Sequence, residues 1–300
     1  MIKKVLAFIL CAITALTLCG CDGYRETDNC YIVSAVGFDG GEKIKISVEV
    51  ISTGGGERSS APTSEIISGE GESPEGAMFS LTSKVSKILM FDHCTAIIVG
   101  ESIKNEQLDK VFDFGQELKE INLSVYMVRT GSAERLFNDS SPISVARGFD
   151  IAGNIKETEK DTGIDYNDRF FQLFAAYKNG EYYGMPILKA ENGKIIIDGE
   201  EICKGRQTRE RLSNEESLIY SFLINKNSGG KIYFGKEYAD VSQCRVDYKN
   251  KKYYLTVRIK NESNGFKKVF SEKCKEFLKN HKDKTGFKTD KIEVSIKGGV

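Results

Sequence analysis

The sequence predicts an α+β fold of more than one domain, with antiparallel or mixed sheets and helices packed on one face. Three observations point there. Runs of consecutive strand patterns precede the first helix pattern, which is not the strict alternation of a doubly wound α/β chain. Amphipathic helix stripes then interleave with short apolar strands through residue 190. Past that point the pattern returns to hairpins, a capped helix and a long final helix. The 300 residues are enough for one large domain or two to three smaller ones. We expect three segments: a leader over 1–20, an N-terminal α+β domain over 21–190, and a C-terminal α+β domain over 191–300.

Tyr31–Phe38 is mostly apolar and ends in the turn-forming Gly37-Phe38-Asp39-Gly40-Gly41. Lys43–Ile51 alternates, with Ile44, Ile46, Val48 and Val50 on one face and Lys45, Ser47 and Glu49 on the other, the pattern of a half-buried strand. The two read as a β-hairpin. Ser52–Gly71 is rich in Gly, Ser and Thr and reads as a long mobile loop. Ser73-Pro74 opens a helix, with Ser73 as N-cap and Pro74 in the first turn. Met78, Leu81, Val85 and Ile88 or Leu89 would form its stripe. Thr95–Val99 is a short buried strand. Asn105–Leu118 is a helix facing inward through Leu108, Val111, Phe112 and Gly115. Leu123–Arg129 is a strand and Ala133–Phe137 a helical turn. Asp139–Tyr166 is polar and weakly patterned. Asp168–Lys178 is a helix, and 184–188 is extended.

In the last third, Lys194–Ile197 and Glu200–Lys204 flank Asp198-Gly199, a hairpin-turn signal. Ser213 and Glu216 form a capping box, with a helix to about Leu223. Lys231–Phe234, Cys244–Tyr248 and Tyr253–Ile259 are strands, the last two joined at Asn250. Lys267–Lys282 is a long helix with Val269, Phe270, Cys274, Phe277 and Leu278 on one face. Ile292–Ile296 is a final strand.

The first twenty residues have their own chemistry. Lys3 and Lys4 precede an uncharged run, Val5–Leu18, and polar sequence begins at Asp22. A positive start, a short apolar run and small residues before a cut describe an export signal. Leu18-Cys19-Gly20-Cys21 resembles the lipobox of bacterial lipoproteins, with cleavage between Gly20 and Cys21 and lipid on the Cys21 thiol. A diacylglyceryl thioether supplies two chains, enough for a stable anchor. The run is short for a retained membrane helix. No later stretch is apolar enough to span, so no transmembrane helix is expected in the mature chain.

Lys+Arg and Asp+Glu balance at 43 each, which argues against a nucleic-acid partner. Once Cys21 is lipidated, Cys30, Cys94, Cys203, Cys244 and Cys274 remain. Five cannot all pair within one chain, and none lies in a C-x-x-C pair. They read as buried thiols behaving as small apolar groups, with one disulfide still open to an exported protein. The chain has two histidines. His281, in a charged helix end, reads as solvated. His93 adjoins Cys94, but neighbours in a strand point to opposite faces, which disfavours a nucleophilic dyad. No metal site, cofactor site or catalytic constellation is expected, and the chain reads as a non-enzyme.

The mature start, Cys21-Asp22-Gly23-Tyr24-Arg25-Glu26-Thr27-Asp28-Asn29, followed by Tyr31-Ile32-Val33-Ser34-Ala35-Val36-Gly37-Phe38-Asp39, resembles the Ger(x)C family of spore germination lipoproteins. Further blocks agree in order: Phe91-Asp92-His93-Cys94 with the strand running to Gly100-Glu101, Ile197 to Gly205, and Leu212 to Ser217. The chain has no Trp, so Tyr24 stands near the family's Trp and the Trp-bearing C-terminal stretch is absent, which implies a shortened C-terminal domain. The resemblance implies a germinant-receptor lipoprotein subunit, lipid-anchored on the outer face of the cell membrane and, in the spore, at the inner membrane. Its partners would be two types of integral membrane subunit, and no catalytic residues are implied. An extracytoplasmic solute-binding lipoprotein and a cell-envelope hydrolase using His93 and Cys94 are the alternatives.

Overall fold

The computed structural model describes residues 29–52, 62–118, 121–166 and 168–298, together with Lys4. Gly20, Cys21 and the leader lie outside the described residues. The first elements are β1 (Cys30–Asp39), β2 (Ile44–Ser52), β3 (Thr63–Gly71), α1 (Pro74–Thr82), β4 (Ile88–Met90), β5 (Ala96–Gly100), α2 (Glu106–Glu117) and β6 (Tyr126–Thr130). Next come α3 (Ala133–Asn138), α4 (Arg147–Thr162), α5 (Phe170–Asn179), β7 (Tyr182–Glu191), β8 (Lys194–Lys204), β9 (Gln207–Leu212) and α6 (Asn214–Leu223). The chain closes with β10 (Gly230–Phe234), β11 (Glu237–Lys249), β12 (Lys252–Glu262), α7 (Phe266–Thr285) and β13 (Ile292–Gly298). The fold is α+β. No described helix is long and apolar enough to cross a membrane.

Two sheets organise these elements. The larger runs β3-β2-β1-β5-β6-β7-β8-β9, with β4 also paired to β1, and the smaller runs β10-β11-β12-β13. The centre of the large sheet, β1-β5-β6-β7, is parallel, and its flanks are antiparallel. The sheet continues across residue 190, with β8 and β9 hydrogen-bonded in turn to β7.

Helices cover both faces of the large sheet. Val36, Ile97, Val99 and Met127 pack in a core with α1, α2 and α5. Ala35, Ala96, Ile98 and Val128 pack on the other side with α3 and α4. Strands buried on both sides carry apolar residues at successive positions, which is why Ala96–Gly100 is wholly buried. The expected one-sided packing holds for the small sheet. There Leu255, Val257 and Ile259 face α7, while Arg258 and Lys260 are exposed.

The second layer explains where β2 departs from a half-buried strand. Ser47 and Glu49, on its polar face, are also buried. Glu49 is wholly enclosed. The Ser34 hydroxyl donates to its carboxylate at 2.6 Å and the Gly148 N–H at 3.0 Å, while Arg147 pairs with it at 2.9 Å. Arg147 and Gly148 open α4, so the carboxylate also meets the positive end of that helix. Only glycine fits at 148, because a Cβ there would lie 2.2 Å from the Ser34 carbonyl oxygen.

Four local expectations change. Thr63–Gly71 is a strand, not a loop. Its weak propensity is overridden by a full antiparallel ladder with β2, and bare Gly69 lets α1 lie on it, since a Cβ there would meet the Ala77 carbonyl at 2.4 Å. α1 ends at Thr82, and Ile88, placed in its stripe, belongs to β4 and is exposed. Arg147–Thr162 is a helix whose stripe of Gly148, Ile151, Ala152 and Ile155 is made of small residues as much as large ones. The hairpin turn is Asn192-Gly193, both at positive φ, and β8 runs unbroken through Asp198-Gly199. The caps stand as read: Ser73 accepts from the Gly76 N–H, and Ser213 and Glu216 form a reciprocal box.

Removing one member of a buried ion pair leaves the other charge enclosed and uncompensated, at about 3–5 kcal/mol. Arg147→Met is therefore expected to lower unfolding stability of the mature chain by about that amount. Adding Glu49→Gln should recover part of it. Urea unfolding of the three proteins measures both.

Candidate functional site

The structure separates the one nucleophile pair the sequence offered. Phe91 to Thr95 links β4 to β5; along it the His93 side chain is 61% exposed beside Asp92, while Cys94 turns into the core. Burial pushes the Cys94 thiol up to about 12, with backbone contacts at Ala96 and Val36 pulling back only in part. A thiol held there is not a nucleophile at neutral pH. Burial pushes Cys203 to about 12 as well, and Cys274 higher. Cys30, Cys94, Cys203 and Cys274 are buried and Cys244 half-buried, and all five are free thiols. Among the described residues no three His, Cys, Asp or Glu side chains group as a metal site.

His281 is not solvated, as its charged surroundings suggested. Its ring is mostly buried, stacks on Phe277 and lies 3.1 Å from Glu216 and 3.5 Å from Glu210. The capping residue of α6 is thereby tied to α7. Burial would raise the Glu216 carboxyl, but hydrogen bonds from the Ser213 backbone and hydroxyl, with His281, hold it below its ordinary value.

The polar site that sequence reading missed lies between the sheets. A cavity of about 360 Å³ opens there, lined by Asp168, Tyr182 and Glu200 from the large-sheet side and by Tyr220, Lys226 and Phe287 from the other. β7 and β8 pair antiparallel, and bare Gly184 gives Glu200 its room: a Cβ at 184 would lie 1.9 Å from the Glu200 carboxyl. Removal from water pushes the Glu200 carboxyl up to about 8, Lys226 pulls it back, and Asp168 adds to the rise. Lys226 is itself paired with Asp168. At neutral pH the cavity therefore presents a protonated carboxyl, a lysine–aspartate pair and aromatic rings. Those groups can hold a small polar molecule by hydrogen bonds and ring contact. In the sequence, Glu200 stands in a charge-mixed stretch next to a turn signal, and only the packing of β8 against α6 encloses it.

A second acidic residue beside it serves the fold. Glu201 meets Arg129 at 2.8 Å with both side chains buried, although the Arg129 Nε–H is angled off the carboxylate. Arg129 donates instead to the Gly100 carbonyl at 3.1 Å.

Comparison with known proteins then bears on this geometry. The family described as "Spore germination protein N-terminal domain" matches residues 23–190. The chain belongs to this family. The matched span of the germination-protein family runs from ahead of β1 into β7, so it takes in most of the large sheet and, of the cavity wall, Asp168 and Tyr182 but not Glu200. Spore germination protein KC of Bacillus subtilis (strain 168) is 29% identical over 123 residues, covering 38% of this chain and 30% of that protein. The match thus spans under a third of that relative's length. A solved structure titled "Crystal Structure of the GerBC protein" aligns at 16% identity over 88% of this chain and 96% of that one, with a TM-score of 0.49.

The Glu200 carboxyl has a testable signature. Folding raises its pKa, so the folded chain binds more protons than the unfolded one between about pH 4.5 and 8. Its contribution is complete below that window and is lost as pH rises through it. Glu200→Gln should therefore gain stability relative to the unsubstituted chain from pH 5 to pH 8.5. Urea unfolding across that range measures the difference.

Proposed function

We propose that the chain is the lipid-anchored subunit of a spore germinant receptor, acting in nutrient-triggered germination through contacts with two types of integral membrane subunit. The observation that carries this reading is the family match over residues 23–190. Cys21 bears the lipid after cleavage at Gly20, and the protein stands on the outer face of the membrane, the inner membrane in the spore. Under this reading the subunit is not catalytic, and the deep burial of Cys94 is consistent with that. Residues 21–190 carry the germination-protein half, and β8 and β9 from the following segment complete its sheet. The anchor serves concentration: a tethered subunit meets its membrane partners at an effective concentration set by the linker rather than by bulk solution.

A second reading, an extracytoplasmic solute-binding lipoprotein, is favoured by the cavity at Glu200. Its volume falls within the range of small-molecule sites, about 300–1,000 Å³.

Cys21→Ala is expected to move the protein from the membrane fraction to the soluble one, read by immunoblot of fractionated cells. Spores lacking the protein and its paralogues should lose their response to nutrients while vegetative growth stays normal. An intact nutrient response would end the receptor reading. Calorimetry on the mature chain with single nutrients separates the second reading, because saturable binding abolished by a bulky substitution at Gly184 would favour it.

A further inference from the structure

The large sheet has two unlike ends. β1, β4, β5 and β6 run parallel, β4 starting level with Cys30 and β5 and β6 starting level with Ala35. Ile88 opens β4 and pairs with Cys30, the first residue of β1. Leu123 lies just ahead of β6, and its carbonyl accepts from the Phe171 N–H at 3.2 Å, which brings the start of α5 to the same rim. All three side chains are exposed: Ile88 by 50%, Leu123 by 43% and Phe171 by 48%. Lys87 lies over the Tyr31 ring and half-buried Arg169 over the Tyr126 ring, and Glu65, Asp92 and Glu117 are exposed acids toward the same end. The end where these strands finish is different. It is lined by Glu42, Lys43, Glu70, Ser102, Glu134 and Arg135.

The apolar end is also the end from which the chain runs back to Cys21. Nine residue steps separate Cys21 from Cys30. Fully extended, they reach about 30 Å at most. A lipid on Cys21 therefore holds the β1 start within about 30 Å of the bilayer, while the opposite end is free to point away. We infer that the rim formed by Ile88, Leu123 and Phe171 lies in the headgroup layer of the membrane, its apolar side chains inserted and Lys87 and Arg169 set among anionic lipid. This orientation rests on the lipidation reading. Apolar side chains interspersed with cations, at the anchored end, match a bilayer interface. A packed protein partner would ask for a contiguous apolar face.

The chain contains no Trp, so a single introduced indole is an unambiguous reporter. Ile88→Trp, Leu123→Trp and Phe171→Trp, with Arg135→Trp as the control at the opposite end, are produced as full-length chains and purified from the membrane fraction. They are reconstituted into vesicles of phosphatidylethanolamine and phosphatidylglycerol, with and without lipid brominated near the headgroup. The three rim variants are expected to float with the vesicles, shift their emission to the blue and lose most of it to the brominated lipid. Arg135→Trp should float and keep its emission. The unsubstituted chain offers a check free of substitution: on binding vesicles, amide exchange should slow at 121–124 and 171–173 and stay unchanged at 131–135. Floating with unquenched rim tryptophans and unchanged exchange would overturn the inference alone and assign the rim to a protein partner. Failure to float would overturn the anchoring reading beneath it.

Discussion

The carboxylate of Glu49 is the constraint on which the large sheet depends. A carboxylate with no solvent exposure must be met by partners, and two elements packed against β2 supply them. Ser34 comes from β1, Arg147 and the Gly148 N–H from α4, and Glu49 itself from β2. The contact sets the first turn of α4 against the backbone of β1, with no room for a side chain at 148. Apolar packing would let α4 slide along the sheet at small cost. The buried pair fixes its register, at a desolvation cost that hydrogen bonds offset. Arg147 also donates to the Ser140 carbonyl, and the Ser140 hydroxyl bonds back to Leu136, which ties the end of α3 to the same group.

Much of this was legible in the sequence, and the reasons differ by element. The helices with apolar stripes, α2, α5, α6 and α7, can be read because periodicity is local, and α6 adds its Ser213–Glu216 capping box. Local rules also recover β1, β2 and the Asn250 turn. α4 was hidden because half of its buried face is Gly148 and Ala152, small residues chosen for closeness rather than hydrophobicity. β3 was hidden because its pairing with β2 supplies what its Gly- and Ser-rich sequence does not. Glu49 illustrates the same gap. Alternation marks it as solvent-facing, and only a distant helix, about a hundred positions on, makes that face interior.

The titratable groups follow one logic. Burial suppresses the thiolates of Cys94, Cys203 and Cys274, and at Cys203 the neighbouring Glu201 carboxylate adds to it. Glu201 is neutralised by Arg129 and ties β8 to β6. Glu200, one residue away, points to the other face and opens on a cavity instead. Adjacent glutamates thus take opposite roles through the alternation of a strand, which composition alone does not reveal. The family match reaches Asp168 and Tyr182 in that cavity but not Glu200, and the opposite wall comes from the chain beyond it.

The pairing of β7 with β8 has a consequence for inheritance and for engineering. β7 is the last strand inside the matched family span, and it is held on both sides. A chain ended after it would present a bare row of amide donors and acceptors beside Met185, Ile187 and Leu188, an invitation to edge-to-edge aggregation. The cooperative piece of this molecule is therefore longer than its recognisable piece. A gene fragment cut at the limit of sequence similarity would carry the signature of the domain and lose its solubility.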